Sequence, residues 1–147
     1  MALAAQLQIE SDLERLPEVV AWFEQFKQSL LSPERWQQAN LALMEGFTNA
    51  VRHAHGPKLA SAIIKVDARL DDDTFALEIW DHGPPYDFDA ALVKLQTVLS
   101  APDFDPLQRE SQWGGVIFLR LIQRHGWRIQ YVRHGALNCL QAQVNLT

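Results

Sequence analysis

The chain is short of the residues that mark a special environment. It has one cysteine, Cys139, among 147 residues, which excludes an internal disulfide and any multi-cysteine metal pattern. Cations are also scarce: 13 Lys and Arg face 18 Asp and Glu, a formal charge of -5. That balance argues against nucleic acid or an anionic membrane surface as the main partner, although a nucleotide needs only a local patch. No stretch approaches the roughly 20 apolar residues of a membrane span. Residues 1–10 lack the basic start and long apolar centre of a secretory signal. Repeats, low-complexity tracts and linkers are missing as well. The expectation is one soluble domain in a reducing cytoplasm, long enough to bury a real core.

The remaining pattern predicts alternating layers. Residues 2–9 read as a strand, with Leu3, Ala5, Leu7 and Ile9 alternating. Ser11-Asp12-Leu13-Glu14 has the form of a capping box and opens a helical run to about residue 31, with Pro17 in its first turn. Its expected buried side is Leu16, Val20, Phe23 and Leu30. Ser32 then caps a second helix with Pro33 at its first position, which runs to the terminator His55-Gly56-Pro57. Residues 62–70 and 75–79 alternate about the polar turn Asp71-Asp72-Asp73 and read as a hairpin. A short helix is expected over 87–99, then a lid-like loop, the whole lid spanning about 84–113. Gly114-Gly115 leads into an apolar helix that ends at His125-Gly126, and strands over 127–133 and 137–146 close the chain. This order suits a two-layer α+β sandwich, a mixed, mostly antiparallel sheet with helices on one face.

The most informative run is Leu43-Met44-Glu45-Gly46-Phe47-Thr48-Asn49-Ala50-Val51-Arg52-His53-Ala54-His55. Helical spacing places Glu45 and Asn49 on one face, with His53 continuing the stripe, while Leu43, Phe47, Ala50, Val51 and Ala54 form an apolar face. A carboxylate can hold or deprotonate a water or hydroxyl, and an amide oxygen beside it suits a hard cation such as magnesium. Any exposed helix face carries polar residues at this spacing, so the rest of the chain must decide. Two further clusters fall at element ends. Asp81-x-Gly83 follows a strand, where a carboxylate can accept from an exocyclic amine and glycine admits a flat ring. Gly114-Gly115 precedes a helix, where N–H groups and the dipole favour phosphate. The histidines do not suggest zinc, because positions i and i+2 of a helix point about 200° apart. Trp36, Trp80 and Trp127 read as core or interface residues, and Trp22 as part of a dimer or partner surface.

In this order and spacing the chain resembles the GHKL ATPase superfamily with its Bergerat-type nucleotide fold. It is most similar to the small anti-sigma-factor serine kinases of bacterial partner-switching systems. Glu45-x-x-x-Asn49-Ala50-x-x-His53-Ala54 is similar to that branch's N box almost letter for letter. The resemblance implies ATP and Mg²⁺ as cofactors, Glu45 as general base and Asn49 as the magnesium ligand; His53 reads as a helix-end residue that lines the site or bonds to backbone. It places Asp81 on the adenine amine with Gly83 beside the ring, and Gly114 and Gly115 in the phosphate-binding turn. Asn138 falls where relatives often carry a Thr that supports that Asp. The implied partners are a STAS-type anti-anti-sigma protein, phosphorylated on serine, and a sigma factor or another regulator. A homodimer is usual in that family. Two positions depart from its pattern: Pro85 stands for the second glycine of the first box, and Trp113 for the first glycine of the second. Arg109 reads as a solvated arginine before it reads as a lid cation. The rival expectation is a binding module of the same fold that sequesters a partner without useful kinase activity.

Overall fold

A computed structural model describes residues 2–29, 32–55, 62–99 and 113–146. Five strands, β1 (Leu3–Glu10), β2 (Ile63–Leu70), β3 (Thr74–Asp81), β4 (Arg128–His134) and β5 (Leu137–Asn145), form one sheet in the order β1-β2-β3-β5-β4. Four helices accompany them: α1 (Leu16–Phe23), α2 (Pro33–Asn49), α3 (Phe88–Leu99) and α4 (Trp113–His125). The layered α+β architecture follows from the alternation of period-2 and period-3.6 patterns. The sheet is wholly antiparallel, which takes the expected mostly antiparallel sheet to its limit. β3 and β4 do run the same way, but the hairpin strand β5 inserts between them, so no parallel neighbours meet.

One face of the sheet builds the core. Phe75, Leu77 and Ile79 of β3 and Leu140, Ala142 and Val144 of β5 are buried with Ala39, Ala42, Leu43 and Phe47 of α2. Gly46 lets α2 descend onto the sheet: a Cβ there would collide with the Ile79 side chain and lie 2.8 Å from the Leu140 side chain. At the start of β3 the core is aromatic. Phe23 stacks on Trp36 at 4.9 Å and meets Phe26 and Phe75 at 5.3 and 5.8 Å, and Phe75 meets Trp127 at 6.2 Å. The buried Trp127 indole donates to Gln38 Oε1 (2.9 Å), which also accepts from Arg35 (2.8 Å). Arg35 reaches on to the His125 carbonyl (2.6 Å), tying the start of α2 to the end of α4.

Local chemistry explains the boundaries and corrects several expectations. Ser32 Oγ accepts from the Arg35 N–H, and Pro33 sits where a missing donor costs nothing. At the first helical turn the cap is Asp12, whose Oδ1 accepts from the Glu14 N–H. Ser11 is not the cap: its N–H extends the sheet by donating to the Ala62 carbonyl, and its buried hydroxyl has no partner among the described residues. The first long helix stops at Phe23 and gives way to a 3-10 turn over Glu24–Phe26. Val19 rather than Val20 is its buried residue, while Leu30 lies outside the described residues. The second helix loses its α geometry after Asn49 and continues as a π-helical segment, Ala50–His55. Gly126, at φ +75°, ends α4, and Gly135, at φ +61°, turns the β4–β5 hairpin. Trp80 projects from the sheet face opposite the helices, where His134 lies 5.2 Å away and Lys65 stands over its ring. Trp22 and Trp36 pack against the core.

Candidate functional site

The site forms where β3 and β5 end. Alternation along β3 sends Phe75, Leu77, Ile79 and then Asp81 to the helix-facing side, so a carboxylate occupies the last core position and is 1% exposed. Asp81 lies opposite Asn138 in the β3–β5 register. Asn138 is also buried, and its Nδ2 donates to Asp81 Oδ1 (3.0 Å) and to the Pro84 carbonyl (2.8 Å). The Gly83 N–H donates to the same Asp81 Oδ1 (2.9 Å), closing a tight turn. Such a pairing satisfies a buried charge with directed donors, and among the described residues none donates to its second oxygen.

A cavity of about 50 Å³ opens on this pair, lined by Asn49, Asp81, Pro84, Pro85, Tyr86, Tyr131 and Asn138. A second hollow of about 330 Å³ shares Pro85, Tyr86, Tyr131 and Asn138 and continues outward to Arg133. The chain's two tyrosines meet here edge to face at 5.3 Å, and Phe88 lies 5.1 Å from Tyr131. Burial and then the Asp81 charge push the Tyr131 phenol well above its ordinary value, offset in part by its polar contact with the Asn49 side chain. Asn49 therefore faces Tyr131 and the Asp81 pair across the cavity. One turn earlier, Glu45 is half-buried, and burial raises its carboxyl above the usual range while Arg52 draws it back.

The chain matches known proteins at the level this geometry suggests. The profile of the histidine kinase-like ATPase domain matches residues 9–144. The chain belongs to the histidine kinase-like ATPase family, within the GHKL superfamily. Among solved structures it is similar to a nucleotide-free catalytic domain of the histidine kinase ThkA, with TM-score 0.54 and 16% identity over 97% of this chain and 98% of that one. It is likewise similar to the Acinetobacter baumannii histidine kinase AdeS, with TM-score 0.52 and 17% identity over 97% of this chain and 68% of that one. At these identities the likeness concerns the fold. No curated protein matches the sequence significantly.

Within this ATPase domain the structure brings together Asn49, Asp81, Gly83 and Asn138, with Glu45 one turn away on α2. His53 falls in the π-helical segment and its side chain lies outside the described ones. Trp113, Gly114 and Gly115 do not precede α4 but form its first turn. Gly115 also has a packing reason, since a Cβ there would lie 2.8 Å from Leu95 of α3. Arg109 and the expected loop over 100–112 lie outside the described residues. Among the described residues no cluster of three His, Cys, Asp or Glu could hold a metal, and no helix is long and apolar enough to cross a membrane. Sequence reading missed Tyr86, Tyr131 and Arg133. The scarcity of tyrosine was a usable signal for the first two, because a phenol suits a half-wet cavity wall. Arg133 continues the inward register of Ile129 and Tyr131 at the end of an edge strand, opposite Asn138, where a lone charged residue reads as a solvated strand end.

Proposed function

We propose that this chain is an ATP- and magnesium-binding regulatory serine kinase of the anti-sigma type, acting on a STAS-type anti-anti-sigma partner. The observation that carries the reading is the buried Asp81–Asn138 pair at the floor of a cavity whose opposite wall is Asn49. The donor set fits the two groups it would hold. Asp81 offers an acceptor to an amine, Asn49 offers a carboxamide oxygen to a hard cation, and the first turn of α4 offers backbone N–H groups to phosphate. Magnesium-bound ATP supplies a transferable phosphoryl group whose charge the metal neutralises. Glu45, kept from full hydration, is suited to take the proton of a serine hydroxyl. The N box, Glu45 to Ala54, supports the serine-kinase branch of the family, and a homodimer that alternates between a sigma factor and its substrate is part of the same proposal.

A binding module is the second reading, and one observation favours it. The cavity that opens on the Asp81–Asn138 pair is about 50 Å³, far below the roughly 300 Å³ at which ligand pockets begin, and the adjoining hollow of about 330 Å³ only just reaches that size. Calorimetry with ATP and magnesium tests what both readings share: neither heat nor a shift in Tm at saturating nucleotide would end the ATP reading. Radiolabel transfer from ATP to the cognate STAS protein separates the two. The kinase reading expects Glu45→Gln to lower transfer by about 10²–10⁴-fold with nucleotide affinity retained. Equal transfer by wild type and variant would remove Glu45 as base, and no transfer by wild type would leave the binding module.

A further inference from the structure

The turn after β3 has a defect that the rest of the fold repairs. Gly83 is followed by Pro84 and Pro85, which have no N–H, so this segment cannot brace itself with backbone donors. Its carbonyls are held from outside. Arg133, on the edge strand β4, donates from Nη1 to the Gly83 carbonyl (2.9 Å) and to Asn138 Oδ1 (3.0 Å), and from Nε to the Gly135 carbonyl (3.0 Å). Asn138 adds its own bonds to the Pro84 carbonyl (2.8 Å) and the Gly83 carbonyl (3.3 Å). One guanidinium thus joins the hairpin turn, the Asn138 amide and the diproline turn.

The same contacts set a direction. A guanidinium has five donors and no acceptor, so the Asn138 oxygen faces Arg133 and its amine faces Asp81. Both donors to Asp81, from Asn138 and from Gly83, fall on Oδ1. Among the described residues the second oxygen keeps its lone pairs for a donor entering the cavity that Asp81 lines. We infer that Arg133 is a positioning residue for nucleobase selection: it holds the Asp81–Asn138 pair and the diproline turn so that the site takes a base presenting an amine and rejects one presenting a carbonyl. The inference rests on the nucleotide reading of this cavity and assigns its specificity to a residue outside the cavity's own lining.

The test compares ATP with ITP, which carries a carbonyl where ATP carries the amine, on the full chain by titration calorimetry with magnesium. Wild type is expected to prefer ATP. Arg133→Ala is expected to weaken ATP about tenfold while ITP changes by less than about twofold, because one directed bond to a charged group is lost and a carbonyl never used it. Arg133→Lys keeps the charge but not the fork, and is expected to lose most of the preference too. It carries the test if the alanine variant fails to fold. A purely structural role predicts that both nucleotides weaken equally, and that result overturns the inference. An unchanged ATP-to-ITP ratio in both variants overturns it as well. Wild type that binds neither nucleotide overturns the nucleotide reading first, and the assignment of Arg133 falls with it.

Discussion

β3 joins two unlike neighbourhoods. At its start Phe75 sits among Phe23, Phe26 and Trp127, held by dispersion and ring geometry. At its end Asp81 occupies the equivalent inward position and is held by the Gly83 N–H and the Asn138 amide. The inward register is the same, yet one end maximises apolar burial and the other keeps a charge out of water. An aromatic cluster tolerates no hole, whereas a buried carboxylate is kept only by directed bonds and offers something to a ligand in return. The two ends divide stability from recognition along one strand.

That division can be broken from either side. Phe75→Ala is expected to cost about 3–5 kcal/mol in urea unfolding, because its ring neighbours cannot close the space. Nucleotide affinity of the molecules that remain folded should change little, and loss of ATP binding in a still-folded variant would show that the ends are coupled. Asp81→Asn is the complement. Its shape is kept, so melting should shift little, while ATP affinity falls about 10–100-fold as an amide donor meets the ligand amine. Unchanged ATP affinity would move the recognition site elsewhere.

A smaller effect sharpens the aromatic side. Gln38→Ala removes the acceptor of the Trp127 indole and of Arg35, and is expected to cost about 1–2 kcal/mol by leaving a buried donor unpaired. Denaturant melts decide it, and a neutral result would mean that water replaces the amide there. The smallest effect concerns pH. Burial raises the folded-state carboxyl of Glu45, so its contribution to stability is complete below the ordinary glutamic acid value. That contribution is lost as pH rises through the higher folded value, because the unfolded chain gives up its proton first. Wild type should therefore lose stability relative to Glu45→Gln as pH climbs from the acid range. A difference that stays flat with pH would place Glu45 in full contact with water.

Much of this plan was legible in the residues. Alternation in 62–70 and 75–79 placed the central hairpin, and Ser32-Pro33 placed the start of α2, because both signals are local. Glu45, Asn49 and Asp81 were singled out by their order and spacing along the chain, and the structure brings Asn49 and Asp81 to one cavity with Glu45 one turn away. What escaped depends on contacts far apart in the chain. Arg133 meets Gly83, 50 positions earlier in the chain, and no local pattern encodes that meeting. The wholly antiparallel sheet depends on where β5 inserts, a long-range choice. The expected Ser11 cap failed because the strand outlasts its alternating pattern by one residue, and the hydrogen bond to Ala62 claimed that position for the sheet.

Gly46 has a consequence for how finely such a site can be set. Where side chains separate a helix from a sheet, their rotamers can absorb small errors of height. At Gly46 the α2 backbone rests directly on the tips of the Ile79 and Leu140 side chains, so an added methyl must either turn those buried tips aside or raise the helix. Glu45 is its neighbour in sequence and Asn49 follows within a turn. A single methyl at position 46 would act as a shim wherever those tips hold their rotamers, lifting both functional groups together from the floor that holds Asp81. The reach from one wall of the cavity to the other is thus gauged by the one residue that contributes no side chain to it.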